Sequence, residues 1–142
     1  MMDRILVAVD DSAPSLAAAE YATELARVRK AELRFAMAIE PGRDTEAVLN
    51  HVRALATNAG VDSTATTCNG GPAFDALLAE ARRWEADLIV MGRSDMRRPG
   101  RRYVGNQTEH VLEFTEIPVL VVPVPDPTDL GRTPRRPHPV RR

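Results

Sequence analysis

The sequence predicts an α/β fold: one doubly wound parallel sheet of five strands with helices on both faces. Three observations carry this. Short, near-continuous apolar runs alternate with longer stretches of helical periodicity through residues 1–123, as they do when strands are covered on both faces. Clusters of Gly, Pro, Asp and Asn punctuate the changes. Two buried runs, DLIVMG at 87–92 and IPVLVVP at 117–123, flank a single short helical stretch, the pattern of a parallel βαβ unit.

The elements follow in order. Ile5–Val9 is a buried strand. Ser12 suits an N-cap and Pro14 is tolerated in a first helical turn, so an Ala-rich helix runs from there to Arg29. Glu32–Ile39 is the second strand, broken by Pro41-Gly42. Val48, Val52, Leu55 and Ala59 then form one stripe at helical spacing, and Gly60 suits its C-terminal stop. Val61–Thr67 alternates weakly and reads as a more exposed strand. Gly70-Gly71 turns the chain and Pro72 starts a helix with Phe74, Leu77, Leu78, Ala81 and Trp84 on one face. Leu88–Met91 is the fourth strand, and Thr108, Val111, Leu112 and Thr115 mark the inner face of the last helix. Val119–Val122 is the fifth strand. Beyond it, residues 124–142 are rich in Pro and Arg and too poor in apolar residues to pack, so they read as a disordered tail.

The 142 residues fit one domain, and the few aromatics imply a core of Ala, Val, Leu and Ile. The formal net charge of −1 hides an asymmetry, with a mildly acidic body and a basic tail. A sequence-specific nucleic-acid reader is not indicated. Cys68 is the single cysteine, which fits a reducing cytoplasm and a buried structural thiol better than a redox role. No apolar run reaches the ~18 residues needed to span a membrane, and the N-terminus lacks the apolar stretch of a signal peptide. A soluble cytoplasmic protein is expected.

The chemistry-bearing residues gather at predicted strand ends. A glycine at a strand end, Gly92, and another opening a helix, Gly105, let backbone N–H groups approach an anion; tight exits from strand and loop would need the same glycines. Asp10 ends the first strand, where a carboxylate accepts hydrogen bonds either from a ligand or from the following helix turn. Arg93, Arg97, Arg98, Arg101 and Arg102 crowd one loop, as phosphate ligands or as a solvated basic segment. There is no nucleophile elbow, no P-loop and no metal-ligand spacing, and Lys30, the only lysine, lies far from these strand ends. No catalytic residue and no metal is assigned.

Gly92-Arg93-Ser94-Asp95, nine residues, then Gly105-Asn106-Gln107-Thr108 resembles the C-terminal motif of the universal stress protein family. The opening strand with Asp10, the Gly70-Gly71-Pro72 turn and the run from Asp87 to Gly92 resemble its other segments, so the resemblance covers roughly residues 2–123. It implies the strand order 3-2-1-4-5, and a homodimer through the last strand. It also implies an adenine nucleotide, ATP or AMP, held by Asp10, Ala38, Met91, Gly92, Arg93, Gly105, Asn106 and Gln107. For Met91 a plain core role is the competing reading. Two positions depart from the family's nucleotide-binding pattern: Asp95 replaces its second glycine and Asn106 its Ser or Thr. Asp95 brings a negative charge beside the expected phosphates. The leading expectation is therefore a non-enzymatic stress-response dimer with weak or absent nucleotide binding. A regulatory ATP- or AMP-binding module is the second reading, and a nucleotide-dependent enzyme or electron-transfer protein on a similar fold the third.

Overall fold

The computed structural model describes residues 2–69, 71–93 and 106–124, with the side chains of 106–108 excepted. The elements alternate as β1 (Arg4–Ala8), α1 (Ala13–Arg29), β2 (Glu32–Ala38), α2 (Thr45–Asn58), β3 (Ser63–Cys68), α3 (Ala73–Trp84), β4 (Leu88–Gly92), α4 (Asn106–Phe114) and β5 (Val119–Val122). All four strand pairings are parallel and the order is β3-β2-β1-β4-β5. The chain therefore reverses its winding between β1 and β4, the point at whose carboxyl side sheets of this kind bind ligands.

Each face of the sheet has its own core. On one side Ile5, Val7, Leu33, Phe35, Leu88 and Val90 pack under α1 and α2. On the other, Leu6, Ala8, Ala36, Ile89 and Met91 pack under α3 and α4. Strands covered on both faces are apolar at consecutive positions, which is why the runs were readable. On α1 the contact residues Ala18, Ala19, Ala22 and Ala26 are at most 1% exposed. Small side chains let the helix axis lie close to the sheet, and the buried Thr23 hydroxyl is satisfied by donating to Ala19 O at 2.8 Å.

Several boundaries and faces differ from the sequence expectation. β3 starts at Ser63, not Val61, because the Val61 N–H donates to Ala56 O at 2.9 Å and so still belongs to the exit of α2. Pro72 is the N-cap of α3 with extended backbone (φ −57°, ψ 145°), not its first helical residue. The buried stripe of α2 is Leu49, Val52 and Ala56, rotated from the expected one; Ala59 is exposed. On α4, Val111 is buried but Leu112 is 46% exposed and Thr115 lies past the helix end. Gly60 ends α2 with φ 79°, as expected of a helix stop. The proposed tail lies outside the described residues beyond Val124.

Asp87 ties the amino edge together. Its Oδ2 accepts from the backbone N–H groups of Asp3 and Arg4, both at 2.9 Å. Those two donors hold the carboxyl below the ordinary aspartate value. A carboxyl depressed in the folded state stabilises above its unfolded value, about 3.9, and that contribution is lost as pH falls through the folded value. Asp87→Asn should therefore melt below wild type at pH 6, with the gap closing as pH falls below about 4. Thermal melts across pH 2–7 check this; a gap that stays constant would contradict it.

Candidate functional site

Parallel register brings the expected residues to one edge. Ala8 pairs with Ala36, and the Val9 N–H donates to Ala36 O at 2.9 Å, so the chain leaving β1 runs beside Ala38. On the other side Val7 pairs with Val90, which places Gly92 and Arg93 beside the exit of β1. Alternation puts Ala38 and Met91 on the side of α3 and α4, whereas Asp10, past the end of β1, borders α1 and α2. Met91 itself is 4% exposed and packs in the core there. Arg93 N donates to Val122 O at 2.8 Å, which holds the start of the following loop against β5. Asn106 is the first residue of α4, with Gln107 next. Gly105, Asp95 and the arginines at 97, 98, 101 and 102 lie outside the described residues.

Asp10 is fixed by the turn it starts. Its Oδ1 accepts from Ser12 N at 2.8 Å, and its own N–H donates to Ser15 Oγ at 2.7 Å. Ser12 Oγ accepts in turn from Ser15 N at 3.3 Å, as an N-cap should. The turn role of this exposed residue is thus real. A cavity of about 330 Å³ opens beside Asp10 between α1 and α2, lined by Asp11, Ser12, Leu16, Val48 and His51.

The loop after β2 reaches across to this turn. Arg43 N donates to Glu40 O at 3.3 Å around Pro41 and Gly42, and Gly42 has φ 78°. Pro at the second position and a left-handed Gly at the third are what a type II turn requires. Arg43 then pairs with Asp11 and lies 3.9 Å from Glu40. These carboxylates, Asp11 foremost, hold its guanidinium more firmly protonated than usual. Arg43 did not stand out in the sequence, because Asp11 is brought near it only by the fold.

Gly92 has a partner the sequence did not suggest. A Cβ there would stand 2.3 Å from the carbonyl oxygen of Pro14 and 2.4 Å from its carbonyl carbon. The end of β4 and the first turn of α1 touch backbone to backbone. Cys68 is buried at the end of β3, and burial pushes its thiol pKa up, away from reactivity. Among the described residues no three His, Cys, Asp or Glu side chains converge as a metal site, and no helix is long and apolar enough to cross a membrane.

This order of parallel strands with helices on both faces defines a doubly wound α/β domain. The sequence profile of the universal stress protein family matches residues 1–50 and 43–123, and the chain belongs to that family. A universal stress protein solved in complex with cAMP is 30% identical, with a TM-score of 0.73 over 85% of this chain and 96% of its own. A family member from Burkholderia pseudomallei is 26% identical, with a TM-score of 0.66 over 87% of this chain and 97% of its own. The Archaeoglobus fulgidus protein in complex with dAMP shares the fold at 21% identity and a TM-score of 0.70, over 86% and 99%. No curated protein matches the chain.

Gly92→Ala should destabilise the fold whether or not a ligand binds, because the new methyl meets helix backbone that cannot rotate away. Overpacking of this kind costs about 1–3 kcal/mol or more. Thermal unfolding of the unliganded protein measures it, and an unchanged melting temperature would show that β4 and α1 are not in contact.

Proposed function

We propose that this universal stress protein acts without catalysis, as a cytoplasmic homodimer. Its carboxyl-edge site holds an adenine nucleotide with a single phosphate in preference to ATP. One observation carries the reading: the two halves of the site differ. Asp10 and Ala38 sit together at the exits of β1 and β2, where a ribose and base would lie. The segment that would wrap a polyphosphate carries Asp95 and Asn106 in place of the family's Gly and Ser or Thr. A carboxylate beside phosphates repels each added negative charge, so its effect grows from mono- to triphosphate. The cAMP complex of the 30% identical relative supports a single-phosphate ligand for this chain.

The dimer follows from an open edge. β5 pairs only with β4 among the described residues, and Val119, Leu120 and Val121 are only partly buried. An apolar strand with unpaired backbone groups is covered in a soluble protein, and a second β5 supplies the complement. Leu112 and Phe114, 46% and 54% exposed on α4, add apolar surface.

Calorimetric titration with cAMP, AMP and Mg-ATP tests the ligand. The single-phosphate nucleotides should bind at least about tenfold more tightly than ATP, a difference near 1.4 kcal/mol. Asp95→Gly combined with Asn106→Ser should narrow that gap by strengthening ATP. Low-micromolar ATP binding by the wild type, on the order of −8 kcal/mol, would refute the reading, as would a double variant that leaves ATP affinity unchanged.

A further inference from the structure

A cavity of about 450 Å³ lies at the amino ends of β2 and β3, the opposite end of the sheet from Asp10 and Gly92. Lys30, Leu33, Arg34, Val61, Ser63 and Trp84 contribute to its walls. Nothing in the nucleotide reading uses it. Its polar groups are arranged for an anion.

Arg34 is held in place by its neighbours. Its Nη1 donates to Glu80 Oε2 at 2.9 Å and its Nε donates to Thr64 Oγ1 at 2.9 Å. Its guanidinium carbon lies 4.7 Å from the centroid of the Trp84 ring. These bonds leave Nη2 without a partner among the described residues. Glu80 is only 2% exposed, and Arg83 pairs with it as well. One carboxylate shared by two guanidinium groups leaves one positive charge over. A fixed guanidinium loses little freedom when it takes up an oxyanion.

Lys30 supplies a second cation. It caps α1 with φ 56°, a left-handed backbone state that favours glycine. Its ammonium has no hydrogen-bond or ion-pair partner among the described residues. The remaining charges of the wall are largely spent: Glu32 pairs with Arg4 at 3.1 Å and Arg27 pairs with Glu24. Asp62 is the one acidic wall residue left, and it is exposed. Ser63 Oγ in the same wall is enclosed without a hydrogen-bond partner among the described residues. The partly exposed Trp84 ring supplies apolar surface, with the buried Leu33 and Val61 behind the wall.

We propose that this cavity is a second ligand site, for a small organic anion. Its carboxylate or phosphate oxygens lie between Arg34 Nη2 and the Lys30 ammonium, and its apolar body lies against the Trp84 ring. Trp84 is the only tryptophan in the chain, so its emission reports occupancy directly. The full chain is titrated with benzoate and with inorganic phosphate at constant ionic strength, with sodium chloride as control. A saturable emission change with either oxyanion and none with chloride supports the site, and the tighter of the two names the class. Arg34→Gln should abolish the change. Lys30→Gly removes the ammonium while suiting the left-handed backbone, so it should melt no lower than wild type yet bind at least fivefold more weakly. A non-saturating change, an equal change with chloride, or undiminished binding by Lys30→Gly would overturn the proposal.

Discussion

The backbone contact between Gly92 and Pro14 governs the carboxyl edge of the sheet. With no room for a Cβ at the end of β4, the first turn of α1 settles directly against the strand. The helix start is then fixed over the switch point, and the turn that enters it must be tight. Asp10, Ser12 and Ser15 supply that turn with three mutual hydrogen bonds of 2.7–3.3 Å. The alanines at 18, 19, 22 and 26 keep the rest of the helix equally close. A ligand at this edge thus meets a short, rigid rim, with Asp10 on one side and the exit of β4 on the other.

The two ends of the sheet are chemically unlike. At the carboxyl edge Asp10, Asp11 and Glu40 outnumber Arg43, the one described cation tied to them. A compact ligand with little charge suits that end better than a polyphosphate. At the amino edge Arg4, Arg34 and Arg83 surround Trp84 and the buried Glu80. A carboxylate as deeply buried as Glu80 is costly unless it is paired and hydrogen-bonded. Its two arginines meet that need.

The alternation of elements was legible because both faces of β1, β2 and β4 are buried, which writes continuous apolar runs into the sequence. The weakly patterned pieces were misjudged. Val61 reads as a strand residue but completes the exit of α2, and Leu112 reads as inner although α4 presents Val111 instead. For the site, Asp10 and Gly92 were legible as residues at strand ends. The reason for Gly92 was not, since Pro14 is far away in the chain. The same holds for Arg43 with Asp11, 32 residues apart, and Arg34 with Glu80, 46 residues apart. Single arginines in a sequence look like solvated charge until the strand order shows what they face.

The dimer proposed on β5 and the single-phosphate ligand proposed for its site are open to one direct test. Native mass spectrometry of the gently purified full chain addresses both parts in one spectrum. The account predicts twice the chain mass of 15.6 kDa, with any copurified nucleotide having the mass of a nucleoside monophosphate or its cyclic form. A monomer at every concentration, or a dimer carrying ATP, would contradict it.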